Sequence, residues 1–205
     1  NLMQTFNRLT GIIAPLLESN IDTDVIMPKQ FLKGIDRQGL DKGVFYDRRF
    51  LTDGRMNPCF ILNQPEYQPA TFLVVGKNFG CGSSREHAVW GLQQLGIRAL
   101  FGTTFAGIFD DNCLRNGILT VSLDPTTLDK LTHIANNPNK NQITVSLESC
   151  EIQTCEDSLL FEISQVKKNM LMSGEDLINW TLTDLSSIEQ FEHQHYMANP
   201  WLKRV

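Results

Sequence analysis

The chain is short of basic residues, lacks any close cysteine pair and has no long apolar run, and each shortage removes a class of function. Its 18 Lys and Arg are outnumbered by 23 Asp and Glu, for a formal net charge of −5. A general nucleic-acid binder needs a basic face to meet phosphates, so that class is set aside. No apolar stretch approaches the roughly 20 residues that span a bilayer. Asn1 to Arg8 lack the basic-then-apolar pattern of a signal peptide, so no membrane association and a cytoplasmic location are expected. The five cysteines (Cys59, Cys81, Cys113, Cys150, Cys155) contain no C-x-x-C pair. Zinc and iron–sulfur sites need closer thiolates, and an odd count argues against a disulfide framework. No metal bound by this chain itself is expected.

What remains is ordinary for a globular protein: 205 residues, 41% hydrophobic and 20% charged. That length suits one domain, or one domain with appendages, burying about 70% of the unfolded surface. Basic residues do gather early, at Lys29, Lys33, Arg37, Arg48, Arg49 and Arg55. A solvated face is the ordinary reading of such a run, and a small anionic substrate or an acidic partner surface is the alternative.

Phe6 to Leu17 reads as a strand pair or one bent strand. Residues 34–69 are broken by Gly34, Gly39, Gly43, Gly54, Pro58, Pro65 and Pro69, and are expected to form a long, irregular, exposed region. From Thr71 the pattern turns regular: a strand at 72–76, a helix at about 84–95, a strand at 97–101, a short helix near 105–114 and a strand at 118–123. Asp124-Pro125 opens another helix, with Pro in its first turn. Segments 143–147 and 159–163 read as a closing antiparallel pair. Ser173-Gly-Glu-Asp176 carries an N-cap signature before Leu177, and a further helix is expected around Leu185 to Phe191. Alternating strands and helices between strand-rich ends predict a mixed α/β fold with a barrel-like sheet component. The expected division is a main domain over 1–170 and a C-terminal helical extension over 171–205, which packs on that domain or on a partner.

The most informative segment is Gly76-Lys-Asn-Phe-Gly-Cys-Gly-Ser-Ser-Arg-Glu86, a glycine loop between an apolar strand and a helix. Backbone amides at a helix N-terminus, with its positive dipole end, suit an anionic ligand. Ser83 and Glu86 also match the S-x-x-E capping box, which alone would explain both residues. Further features point past a mere cap. Gly80 and Gly82 leave the backbone bare for close approach. Arg85 would sit in the first helical turn, where the macrodipole opposes a cation by roughly 0.3–1 kcal/mol. A carboxylate partner would more than offset that, because hydrogen bonds to charged groups contribute about 1.5–3 kcal/mol. The P-loop, dinucleotide-binding and G-x-S-x-G patterns are all unmet. His87, four residues after Ser83, keeps a serine hydrolase formally open.

Asn78-Phe-Gly-Cys-Gly-Ser-Ser-Arg-Glu-His-Ala88 resembles the signature loop of the swivelling domain of the aconitase superfamily. Asn20 to Pro28 is similar to that domain's D-T-D segment, and Phe105 to Gly117 to its third motif. Length and the Phe191…Pro200-Trp201-Leu202 ending resemble, within the superfamily, the small subunits of bacterial 3-isopropylmalate dehydratases. The resemblance covers nearly the whole chain.

That resemblance implies a swivelling β/β/α domain, active only with a large subunit that carries a [4Fe–4S] cluster, the present chain binding no cofactor. The implied reaction is the hydro-lyase isomerisation of 2-isopropylmalate to 3-isopropylmalate through 2-isopropylmaleate, in leucine biosynthesis. Ser83 is implied as the base, Arg85 as the carboxylate ligand, and Ser84 and Gly82 as the rest of the substrate cradle. Either Lys33 or Arg37 is implied as a further substrate contact. Homoaconitate, citraconate and methylcitrate are the alternative substrates. A serine hydrolase and a non-catalytic anion-binding or interaction module are the readings outside the superfamily.

Overall fold

The computed structural model describes residues 4–32 and 38–174. A seven-stranded mixed sheet forms its centre, built from β1 (Arg8–Leu16), β2 (Ala70–Val75), β3 (Ala99–Gly102), β4 (Leu119–Ser122), β5 (Gln142–Ser146), β6 (Glu151–Gln153) and β7 (Ser158–Leu160). Their order across the sheet is β4-β3-β2-β1-β5-β6-β7. β1 to β4 are mutually parallel, while β5 to β7 continue antiparallel from β1. The expected mixed α/β class is therefore observed.

The pleat explains why the middle strands are apolar throughout. Phe72 and Val74 of β2, with Phe101 of β3, enter one core, and Leu73, Val75 and Leu100 enter the other. Strands covered on both faces read as continuous apolar runs. Helices α3 (Glu86–Leu95) and α4 (Gly107–Arg115) cover one face through Ala88, Val89, Leu92, Phe109 and Cys113. Helices α5 (Pro125–Ala135) and α6 (Gln165–Ser173) cover the other through Leu131, Ile134, Met170 and Leu171. Two four-residue helical turns precede these: α1 (Thr23–Ile26) and α2 (Tyr46–Arg49).

Several sequence expectations need correction. Segment 143–147 does not pair directly with 159–163, because β6 lies between them. β6 has three residues and alternates Glu, Ile, Gln, too short a pattern to register in a periodicity scan. Of the two readings for Phe6 to Leu17, the single strand is observed, with a register irregularity between Ile12 and Ile13, and the strand pair is not. Residues 38–69 are irregular but not wholly exposed. Leu40, Val44, Phe45 and Tyr67 are buried, and the Tyr67 hydroxyl donates to the Ala135 carbonyl at 3.0 Å. Ser173 closes α6, with Gly174 as the C-cap. The helices expected from Leu177 and Leu185 lie outside the described residues, as does Trp201. No helix among the described residues is long and apolar enough to cross a membrane.

Candidate active site

The C-terminal ends of the parallel strands share one edge of the molecule, the usual location of ligand sites in open α/β sheets. Chain leaving β1 there becomes the Ile21–Asp24 segment, chain leaving β2 becomes the glycine loop, and chain leaving β3 leads to Phe105. Backbone pairing stitches the three together, through the bridges Asp22↔Cys81 and Phe79↔Phe105. The Gly80 amide donates to the Ile21 carbonyl at 2.8 Å, and the Thr23 amide to the Cys81 carbonyl at 2.9 Å. The three segments singled out in the sequence are thus one structural unit.

Glycine is required at two points of the loop. Gly80 has φ +77, and a Cβ there would lie 2.1 Å from Cγ of the Phe109 ring. Gly82 has φ +89, with a Cβ meeting that of Asp22 at 3.3 Å. Both positions lie in the left-handed region that side chains disfavour. The backbone there bends sharply and delivers Ser83 and Ser84 to the surface, where both are exposed. Neither hydroxyl has a hydrogen-bond partner among the described residues. The Ser83 carbonyl is fixed, accepting from Thr23 Oγ1 at 2.7 Å.

The capping box is not formed. Helix α3 begins at Glu86, with extended Arg85 as N-cap and no side chain bonding to its first amides. Ser83 lies outside the helix, and Glu86 turns away from it to accept from Asn116 Nδ2 at 3.1 Å. The first-turn amides are left without a side-chain acceptor, at the positive end of a 10-residue helix.

Arg85 is also not in the first helical turn, and its counter-anion is internal. Its Nη1 donates to Oδ1 of Asp24, with the Arg85 side chain 15% exposed and that of Asp24 45%. Sequence reasoning missed this pairing, since no spacing rule links residues 24 and 85. Asp22 caps α1 by accepting from the Val25 amide at 2.8 Å. Lys29 Nζ lies 3.9 Å from Asp24 Oδ2. Arg85 keeps further N–H donors beyond the one that Asp24 engages, so the tip combines a fixed cation, two exposed hydroxyls and an uncapped helix start.

The remaining candidates divide plainly. Lys33 and Arg37 lie outside the described residues. Arg48 and Arg55 pair with Glu18 and Asp53, and Arg49 donates to the carbonyls of Asp41 and Val44, so this part of the basic run is met by the chain's own groups. His87 does not bond to Ser83 but packs on the Trp90 ring, 4.7 Å between centroids. Burial, with Asp22 nearby, pushes the Cys81 thiol up, and full burial, reinforced by Asp110 against Lys167, pushes Cys113 up further. Neither thiol is poised as a thiolate ligand. No cluster of three or more His, Cys, Asp or Glu able to hold a metal exists among the described residues. Two cavities, of about 230 Å³ beside Arg49 and about 480 Å³ beside His133, lie away from the serine loop.

The aconitase C-terminal domain family matches residues 3–126. The 3-isopropylmalate dehydratase small subunit 2 of Salmonella typhimurium is 66% identical over 202 residues, covering 98% of this chain and 97% of that one. The small subunit 1 of Mannheimia succiniciproducens is 54% identical, covering 98% and 100%. The small subunit of Agrobacterium fabrum is 46% identical, covering 97% and 100%. A solved structure, the 3-isopropylmalate dehydratase (leuD) of Methanocaldococcus jannaschii, superposes with a TM-score of 0.62 over 92% of this chain and 99% of that one. At 23% identity it speaks for the fold alone. Sequence, fold and the stitched loop therefore agree, and the chain belongs to the family of the 3-isopropylmalate dehydratase small subunits.

Proposed function

We propose that this chain is the serine- and arginine-bearing half of a heteromeric hydro-lyase that converts 2-isopropylmalate to 3-isopropylmalate through 2-isopropylmaleate. One observation carries the reading: in a chain so similar to named small subunits, the three motif segments converge to present exposed Ser83 and Ser84 beside Arg85 at an uncapped helix start. Ser83 Oγ takes the carbon-bound proton as the substrate loses water, and returns a proton when water adds back in the other sense. A serine alkoxide is costly in water. Preoriented amides and a fixed cation lower that cost by the logic of an oxyanion hole. Asp24 offsets part of the Arg85 charge and so weakens the field at Ser83. It also locks the guanidinium in one orientation, with donors left over for a substrate carboxylate.

The [4Fe–4S] cluster of the reaction belongs to the large subunit in this reading, because the described residues of this chain offer no group to hold one. The exposed tip forms one wall of the site, and the large subunit supplies the opposing wall. The expected context is cytoplasmic leucine biosynthesis, with a C-terminal extension beyond residue 170 and a contact from Lys33 or Arg37 completing the substrate pocket. The test is co-purification with a cognate large subunit, followed by the change in ultraviolet absorbance as isopropylmalate is dehydrated. Turnover of isopropylmalate supports the reading. Turnover of homoaconitate, citraconate or methylcitrate in its place would move the chain to a sister enzyme. Labelling of the isolated chain at Ser83 by a fluorophosphonate would favour a hydrolase.

A further inference from the structure

With the capping box absent, something else must fix the first turn of α3, and the structure shows a polar hub there. Asn116 is the C-cap of α4, three residues before β4 begins, at φ −105 and ψ 9. Its Oδ1 accepts from Trp90 Nε1 at 3.0 Å. Its Nδ2 donates to Glu86 Oε1 at 3.1 Å and to the Asn112 carbonyl at 2.8 Å. Its own carbonyl accepts from Gln93 Nε2 at 2.9 Å. Glu86, Trp90 and Gln93 are spaced i, i+4, i+7, so one side chain and one carbonyl grip a whole face of α3 from first turn to last.

We propose that Asn116 is a positioning residue for the serine loop, acting through Glu86. Asn116 is anchored at the C-terminal end of α4: its amide donates to the Asn112 and Cys113 carbonyls at 3.2 and 3.1 Å, the Ile118 amide donates to the Cys113 carbonyl at 2.9 Å, and Leu119 then begins β4. Glu86 follows Arg85 directly, so the Asn116–Glu86 bond ties the downstream end of the Gly82–Arg85 loop to the end of α4. Thr23 and Asp24 tie its upstream carbonyl and its guanidinium on the other side. Turning Glu86 toward Asn116 also keeps its carboxylate off the Ser83 amide, where a capping box would have placed it, and so leaves that amide open to an anion. The latch thus both fixes the loop and keeps its amides free. This inference rests on the functional reading above for its kinetic test, and on the fold alone for its structural one.

The decisive variant is Asn116→Asp, which keeps shape and the acceptor for Trp90 but replaces the donors with a carboxylate facing Glu86. In the complex with the large subunit, kcat should fall roughly 10- to 100-fold, the scale of a misplacement of about 1 Å. KM should move less, because Arg85 stays paired with Asp24. Adding Glu86→Gln supplies an amide donor to the new carboxylate and should recover most of the lost kcat. Amide hydrogen exchange of residues 88–92, the first hydrogen-bonded amides of α3, reads the latch in the same proteins whatever the substrate proves to be. Exchange should quicken in Asn116→Asp and slow again in the double variant. Should Asn116→Asp fail to fold, Glu86→Ala breaks the same bond from the helix side and should show the same faster exchange. Unchanged exchange and kcat in a folded Asn116→Asp or Glu86→Ala protein would overturn the proposal, as would a folded double variant no better than Asn116→Asp. Wild-type inactivity on isopropylmalate combined with the expected exchange pattern would reject the substrate and retain the latch.

Discussion

At the scale of single residues, the glycine loop is held by contacts that leave its hydroxyls free. Gly80 illustrates how tight the bend is. Gly80→Ala adds a Cβ into the Phe109 ring at a positive φ, and should cost roughly 2 kcal/mol or more, read as a lower urea midpoint. Arg85 is the converse case, a residue whose shape matters more than its charge. Arg85→Lys retains a cation but loses the planar fork that engages Asp24 and, in the role proposed for it, a substrate carboxylate. KM should rise roughly tenfold or more, matching the loss of a charge-assisted hydrogen bond. An unchanged KM would remove Arg85 from the carboxylate role. The sequence already marked Ser83, Ser84 and Arg85 as a group. It did not reveal that Asp24 pairs with Arg85 or that Thr23 holds the Ser83 carbonyl, because those partners are about sixty positions away and are brought together by the β1–β2 pairing and its extension through the Asp22–Cys81 bridge.

At the scale of elements, legibility followed local chemistry. Asp124-Pro125 predicted the start of α5, and the structure has Asp124 as N-cap, its Oδ1 accepting from the Thr127 amide at 2.9 Å. The hydrogen bond from the Thr127 hydroxyl, with that from its amide, holds the Asp124 carboxyl below the usual range. A depressed carboxyl stabilises the fold above the unfolded-state value, about 3.9, and that contribution disappears as pH falls through the folded value. Asp124→Ala should therefore cost about 1 kcal/mol near neutrality. Its difference from wild type should shrink below about pH 4. A constant difference across an acid titration would assign the effect to something other than the cap. The buried strands β2 and β3 were equally readable, because both faces are apolar. β6 and α6 were not. One is too short, and the other, Gln165–Ser173, starts from the plain cap Ser164 with lysines interrupting its apolar positions. The capping box failed for a related reason: S-x-x-E is a local pattern, and Asn116, thirty residues on, competes for the same Glu86.

For the whole molecule, the central proposal is a division of labour between two chains. The described residues carry the hydroxyls, the cation and the uncapped helix but no metal-holding cluster. Isolated, the chain should take up no iron on anaerobic reconstitution and show no visible cluster band; a stoichiometric band would contradict the assignment of the cluster to the partner. Mixed with its large subunit it should become active. The most direct measurement is Ser83→Ala in that complex. Ser83 bonds no helix amide, so the substitution should leave stability within about 0.5 kcal/mol and assembly intact. Turnover of isopropylmalate should fall to background in a complex that still co-elutes at full stoichiometry. Wild-type turnover in that variant would contradict the account.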